Sequence, residues 1–274
     1  MASMAESADG HSGRLVPRHT GVVRLTHWIN ALAIVLLLMT GANIFNAHPR
    51  LYWGMAGSVD QRAGQWLEIG ASGPAAAPRG YLELGNTRID TTGVLGVSGA
   101  NVVVGYPGWA TFPSQRDLAT ARNWHFFFAW VIILNGLLYL GHGLWSGHIR
   151  RDLLPRLGEL SPAHMWHDIV SHAKLQFPKG EAMLRYGSLQ KIAYAGTALL
   201  LVPLVILTGM TMSPGLNAAF PFLNEMFGGR QSARSLHWIA ANLILVFILV
   251  HLLMVVLSGP INQLRGMITG KLKI

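Results

Sequence analysis

The chain has 274 residues, 51% of them hydrophobic and only 12% charged, where a soluble domain carries roughly a quarter charged residues. That composition excludes an ordinary soluble enzyme, and the absence of cysteine excludes disulfides, thiolate-held iron–sulfur clusters and covalent attachment of c-type haem. The net charge of +9 is spread through loops that flank apolar stretches, so it bears on membrane orientation and not on nucleic-acid binding.

Residues 1–21 are polar. The first apolar stretch ends in Thr40-Gly41-Ala42-Asn43 without an Ala-x-Ala-like site, so a cleaved signal peptide is not expected. Stretches without Asp, Glu, Lys or Arg run over 25–49, 123–149, 192–224 and 235–264, and each exceeds the roughly 20 residues that span a bilayer as helix. They predict an all-α membrane protein, a four-transmembrane-helix bundle with helices at 22–45, 122–145, 188–212 and 234–258. Of the 21 basic residues, 13 fall on the side of the two termini and 8 on the other, which predicts cytoplasmic termini by the positive-inside rule.

Between the first two helices lies a segment, 46–121, too long for a simple connection, expected to face the periplasm. Tyr81-Leu-Glu-Leu-Gly85-Asn86-Thr-Arg-Ile-Asp90 alternates around a Gly-Asn turn and reads as a β-hairpin. A Gly-punctuated apolar piece follows at 94–104, and 72–78 reads as a flexible connector. The second loop, 146–187, is basic, with Pro155, Pro162 and Pro178 expected to limit helix. Its His164, His167 and His172 read as part of a solvated loop more readily than as a metal site. The expected organisation is a cytoplasmic N-terminus (1–21), a four-helix membrane domain (22–258) with insertions at 46–121 and 146–187, and a cytoplasmic tail (259–274).

One short pattern stands at the mouth of three of the helices: Arg24-Leu-Thr-His27-Trp28, Arg122-Asn-Trp-His125-Phe126 and Arg234-Ser-Leu-His237-Trp238. A fourth histidine, His251, lies further along the last helix. Ionisable residues inside spans are costly, so repeated histidines there signal function. His237 and His251, 14 positions apart, differ by roughly 40° around the helix and about 21 Å along it, so one helix face can serve two haems. Matching depths pairs His27 with His251 toward the cytoplasm and His125 with His237 toward the periplasm as axial ligands of two non-covalent haem b groups. His142 lies at cytoplasmic depth and competes only with His27. Arg24, Arg122 and Arg234, three residues before their histidines, share a helix face with them and can reach haem propionates. Trp28, Trp124, Trp145 and Trp238 fit an interfacial belt, and Met39-Thr40-Gly41 faintly matches Leu207-Thr208-Gly209 as small-residue breaks that allow close approach.

These residues resemble the bacterial cytochrome b561 and nickel-hydrogenase-type cytochrome b family, and within it proteins labelled thiosulfate reductase cytochrome b subunit. The closer likeness lies in His48-Pro-Arg-Leu-Tyr-Trp-Gly54, Leu189-Gln-Lys-Ile-Ala-Tyr194, Leu207-Thr-Gly-Met-Thr-Met-Ser-Pro214 and Gly228-Gly-Arg-Gln-Ser-Ala-Arg-Ser-Leu-His237. The resemblance implies two bis-histidine b haems, exchange of electrons with membrane quinone and a molybdenum-type redox partner. It places the quinone near the cytoplasmic haem, where Asn30, Gln190, Lys191 and Tyr194 start their helices.

The expected function is thus a dihaem b cytochrome of the bacterial inner membrane, an electron-transfer subunit of a respiratory oxidoreductase linking quinone to a periplasmic redox protein. Two rivals use the same residues. One is a partner-independent quinone oxidoreductase fed by a small reductant such as superoxide; the other is a haem-free transporter whose histidines relay protons.

Overall fold

The computed structural model describes residues 13–57, 64–99, 101–177 and 180–274. Residues 1–12, 58–63 and Pro178, on which part of the reading above falls, lie outside these. Among the described residues four helices are long and apolar enough to cross a membrane: Gly21–Phe45, Leu118–Trp145, Gly180–Met212 and Arg230–Leu257, here called the first to fourth spans. The second and fourth begin four residues earlier than the uncharged runs imply, because their opening turns carry Arg122, Arg230 and Arg234. Asp117 caps the second span by accepting the Thr120 N–H at 3.0 Å.

The third span is not uniform. Its α-helical parts, Ser188–Gly196 and Val202–Met212, flank a π-helical turn at Thr197–Leu201. Pro203, at the start of the second part, has no N–H for the ladder, and a widened turn relieves that break.

The chain forms two compact units. One contains 26–140 and 195–249; the other contains the N-terminal residues through Leu25, 141–194 and 250–274. In the first unit, segment 46–121 folds into strands β2 (Arg50–Tyr52), β3 (Gln65–Ser72), β4 (Arg79–Leu84) and β5 (Thr87–Asp90), in antiparallel sheet order β2-β3-β4-β5. In the second, β1 (Leu15–Pro17) pairs with β8 (Lys271–Lys273), so the two ends of the chain meet in a short ribbon. This pairing is not visible in either short segment alone.

The predicted hairpin forms with Leu84 opposite Thr87 across Gly85 and Asn86. The apolar piece 94–104 forms a second one, β6 (Gly96–Ser98) with β7 (Val102–Val104). Residues 72–78 close the β3–β4 hairpin, in which Ser72 faces Arg79. Gly96 has φ +77°, and a Cβ there, or at Gly80, would strike main chain of the neighbouring hairpin; only glycine lets β6 lie so close to β4.

The core of this segment is Leu51, Leu67 and Ile69 with Phe45 from the first span, packed by Trp66, Leu82, Leu95, Tyr106 and Trp238. Polar anchors fix it to the ends of two spans. Asn43 donates to the Pro113 and Gln115 carbonyls, and Asn46 accepts the Tyr106 N–H at 2.6 Å. On the fourth span, Ser232 accepts the Gly54 N–H at 2.7 Å, while fully buried Ser235 donates to the Tyr52 carbonyl and accepts from the Trp66 indole at 2.9 Å. The sheet therefore sits on the helix turns that lead to His237.

In the other unit, the basic loop contains a helix, Pro162–Ala173. Pro162 starts this helix and does not limit it, since a missing N–H costs nothing in a first turn.

Candidate functional site

His125 of the second span and His237 of the fourth face each other with ring centroids 6.2 Å apart and planes inclined at 56°. Each ring is held from behind by a threonine of another span. Thr40 Oγ1 lies 3.0 Å from His125 Nδ1, and Thr208 Oγ1 lies 3.1 Å from His237 Nδ1. The residue after each threonine is glycine, and a Cβ at Gly41 or Gly209 would stand 3.5 Å from the Cε1 of the facing histidine. The Thr-Gly similarity between the first and third spans is thus a structural repeat, each copy cradling one imidazole.

This geometry admits a specific group. An imidazole nitrogen bonds a first-row metal at about 2 Å and its ring centre lies roughly 1 Å further out, so two rings on opposite faces of one iron stand roughly 6 Å apart. Among the described residues no cluster of three or more His, Cys, Asp or Glu could hold a bare metal ion. A haem needs only two protein ligands, because its porphyrin supplies the other four, and the His125–His237 pair fits it.

Residues 18–270 match prokaryotic cytochrome b561. The chain belongs to this family. It is 26% identical over 252 residues to a putative protein-methionine-sulfoxide reductase subunit, YedZ1, of Azospira oryzae, a match covering 92% of this chain and 96% of that one. No solved structure matches. The cytochrome b561 assignment, with four apolar spans, makes this a multi-pass bacterial membrane protein of haem b electron transfer, and it sets the haem-free transporter aside.

The other expected ligands of this cytochrome b561 member are placed one in each unit. His27, in the unit of His125 and His237, packs edge-on against Trp28 at 5.2 Å. His251, in the other unit, meets the edge of Tyr194 at 6.0 Å. The competitor His142 has its Nε2 3.3 Å from Thr20 Oγ1.

The three arginines differ. Arg24 donates to the Ile268 carbonyl through Nη1, while its Nε is buried and has no hydrogen-bond partner among the described residues; a haem propionate would satisfy that orphan donor. Arg234 donates to the His48 carbonyl and lies over the Phe45 ring at 5.6 Å. Arg122 is exposed near Phe126.

Of the expected quinone residues, Gln190, Lys191 and Tyr194 belong to one unit and Asn30 to the other. Gln190 Oε1 accepts the Gly187 N–H at 3.1 Å, and Lys191 Nζ is buried on Glu159 at 2.8 Å. The Glu159 carboxyl is held below the usual glutamate range, first by the hydrogen bond from Lys191. Tyr194 lies between Tyr186 and His251, whereas Asn30 is engaged by the Asn135 amide at 2.7 Å in the other unit. Of His164, His167 and His172, the first pairs with Ser188 Oγ and the last with the Asp168 carbonyl.

Sequence reading missed Thr40 and Thr208 as partners of the histidines. The signal was present as the repeated Thr-Gly pair, but spacing alone does not say which helix faces it.

Proposed function

We propose that this chain is a dihaem b cytochrome, a four-helix bundle that passes electrons between membrane quinone and a periplasmic redox protein. His125 and His237 ligate the periplasmic haem, and His27 and His251 the cytoplasmic one. The observation that carries the reading is the His125–His237 pair, two half-buried imidazoles at the spacing of a single iron with Thr40 and Thr208 behind them. The second pair rests on its depth in the sequence.

Haem held by these histidines would supply one-electron transfer, and two protein ligands to each iron would suit outer-sphere exchange rather than oxygen binding. The chain's own residues orient and shield. Trp66 and Trp238 pack edge to face at 6.0 Å beside His237, and Trp53 stacks on Trp66 at 5.6 Å, so water is kept from that ligand while the sheet stays within reach of a docked protein. The name of the Azospira relative, a putative subunit of a protein-methionine-sulfoxide reductase, supports a partner subunit of that kind, of the molybdoenzyme class that the family resemblance implies. Tyr194, beside His251, is the residue offered to quinone.

Haem quantified per purified chain, together with its reduced-minus-oxidised spectrum, tests this. Two haems b per chain are expected; one or none overturns the dihaem reading, and no copurifying extracytoplasmic subunit weighs against the partner.

A further inference from the structure

We propose that Thr40 and Thr208 are positioning residues that fix the proton of each histidine on Nδ1, thereby presenting Nε2 of both rings to one iron. The inference rests on the ligand assignment just made and adds to it the means by which the ligands are set.

The argument is a count of protons. A threonine hydroxyl has one hydrogen and two lone pairs. Thr40 Oγ1 lies 2.7 Å from the Leu36 carbonyl, and Thr208 Oγ1 lies 2.6 Å from the Leu204 carbonyl. A carbonyl oxygen only accepts, so each hydroxyl spends its hydrogen there. Toward the imidazole the same oxygen has only lone pairs left, and the contacts of 3.0 and 3.1 Å require His125 Nδ1 and His237 Nδ1 to donate. A neutral imidazole carries a single N–H, so both Nε2 atoms are left with free lone pairs.

Both threonines are fully buried, at 0% exposure, so water does not compete for this bond. Donation to the helix carbonyl polarises the hydroxyl and makes it a better acceptor. A histidine whose far N–H is held in this way is a more basic ligand and is fixed in ring orientation. A more basic ligand favours ferric iron, so the threonines lower the potential of the haem they serve. The repeat supplies one such bond to each face of the same iron.

The test uses full-length purified protein with Thr40→Val, Thr208→Val, the double variant and the two Thr→Ser variants. The readouts are haem per chain, the midpoint potential of each haem and the low-spin electron paramagnetic resonance signal. Valine keeps the shape and removes the acceptor. The expected result is retained haem, a several-fold shift of one haem's equilibrium toward the reduced form in each valine variant, a larger shift of the same haem in the double variant, and wild-type behaviour with serine. Loss of that haem with valine but not with serine supports the same conclusion. Unmoved potentials and signals in both valine variants overturn it, as does loss of haem with valine and serine alike. Failure of the parent reading is separate, because it appears as missing haem in the unmodified chain or as haem kept when His125 or His237 is replaced.

Discussion

His125 and His237 stand 6.2 Å apart on the second and fourth spans, braced by Thr40 of the first span and Thr208 of the third. Replacing either by alanine is expected to remove the same haem and leave the other, while His142→Ala leaves both, since its ring is turned to Thr20. Pyridine haemochrome content and the reduced difference spectrum check this. Full loss of a haem in the His142 variant would reassign the cytoplasmic site.

Tyr194 presents its ring edge to His251, and Lys191 is committed to Glu159. Tyr194→Phe is therefore expected to slow quinol-driven haem reduction about tenfold, the cost of one hydrogen bond, with both haem spectra intact. Lys191→Met is expected to act on stability instead, by about 1 kcal/mol, because it strands Glu159. Stopped-flow reduction by a quinol and thermal melting separate the two effects.

Segment 46–121 is expected to act as a docking platform for the periplasmic partner, and this is best tested on its surface. Deleting 72–104 would remove β4 to β7, and the Leu82 and Leu95 that pack on the core. Trp109 is 76% exposed and Val103 54%, so Trp109→Ala with Val103→Ser leaves the core alone. Electron exchange with the partner is expected to fall about tenfold, as loss of a single interface anchor does. Unchanged exchange would instead make the segment a cap over haem.

Acid should loosen this sheet. Burial alone would raise the Glu68 carboxyl, but hydrogen bonds from Arg50, Gln65 and Tyr81 outweigh burial and hold its pKa below the ordinary glutamate value. A depressed folded pKa contributes stability that is complete above the unfolded value of about 4.3 and is lost as pH falls through the folded one. His48 is also held low, by burial and then by Arg234 and Arg50, so its share is complete above about 6.5 and declines on acidification. Protease resistance of 64–99, followed from pH 7 downward, should fall in two steps. Glu68→Gln should abolish the lower one, and Glu68→Ala should cost about 1–3 kcal/mol by leaving buried donors unpaired.

The four spans and the Gly85-Asn86 hairpin were legible in the amino-acid order, because each depends on local chemistry: apolar runs longer than a bilayer, and a turn that needs glycine. The second and fourth spans begin four residues before the expected 122 and 234, where turns carrying or leading into arginine open the helix.

What the sequence determined by itself was where the four apolar spans lie and how far along each span its histidines stand, since rise and rotation per residue are constants of the helix. Only the tertiary structure decided that Thr40 stands behind His125 and Thr208 behind His237, that Ser235 ties Trp66 and Tyr52 to the fourth span, that Lys191 is spent on Glu159, and that β1 meets β8. Each of these joins residues far apart in the chain through a single short-range hydrogen bond, ion pair or strand ladder. Such contacts depend on the rotation of one element against another, which no local periodicity encodes.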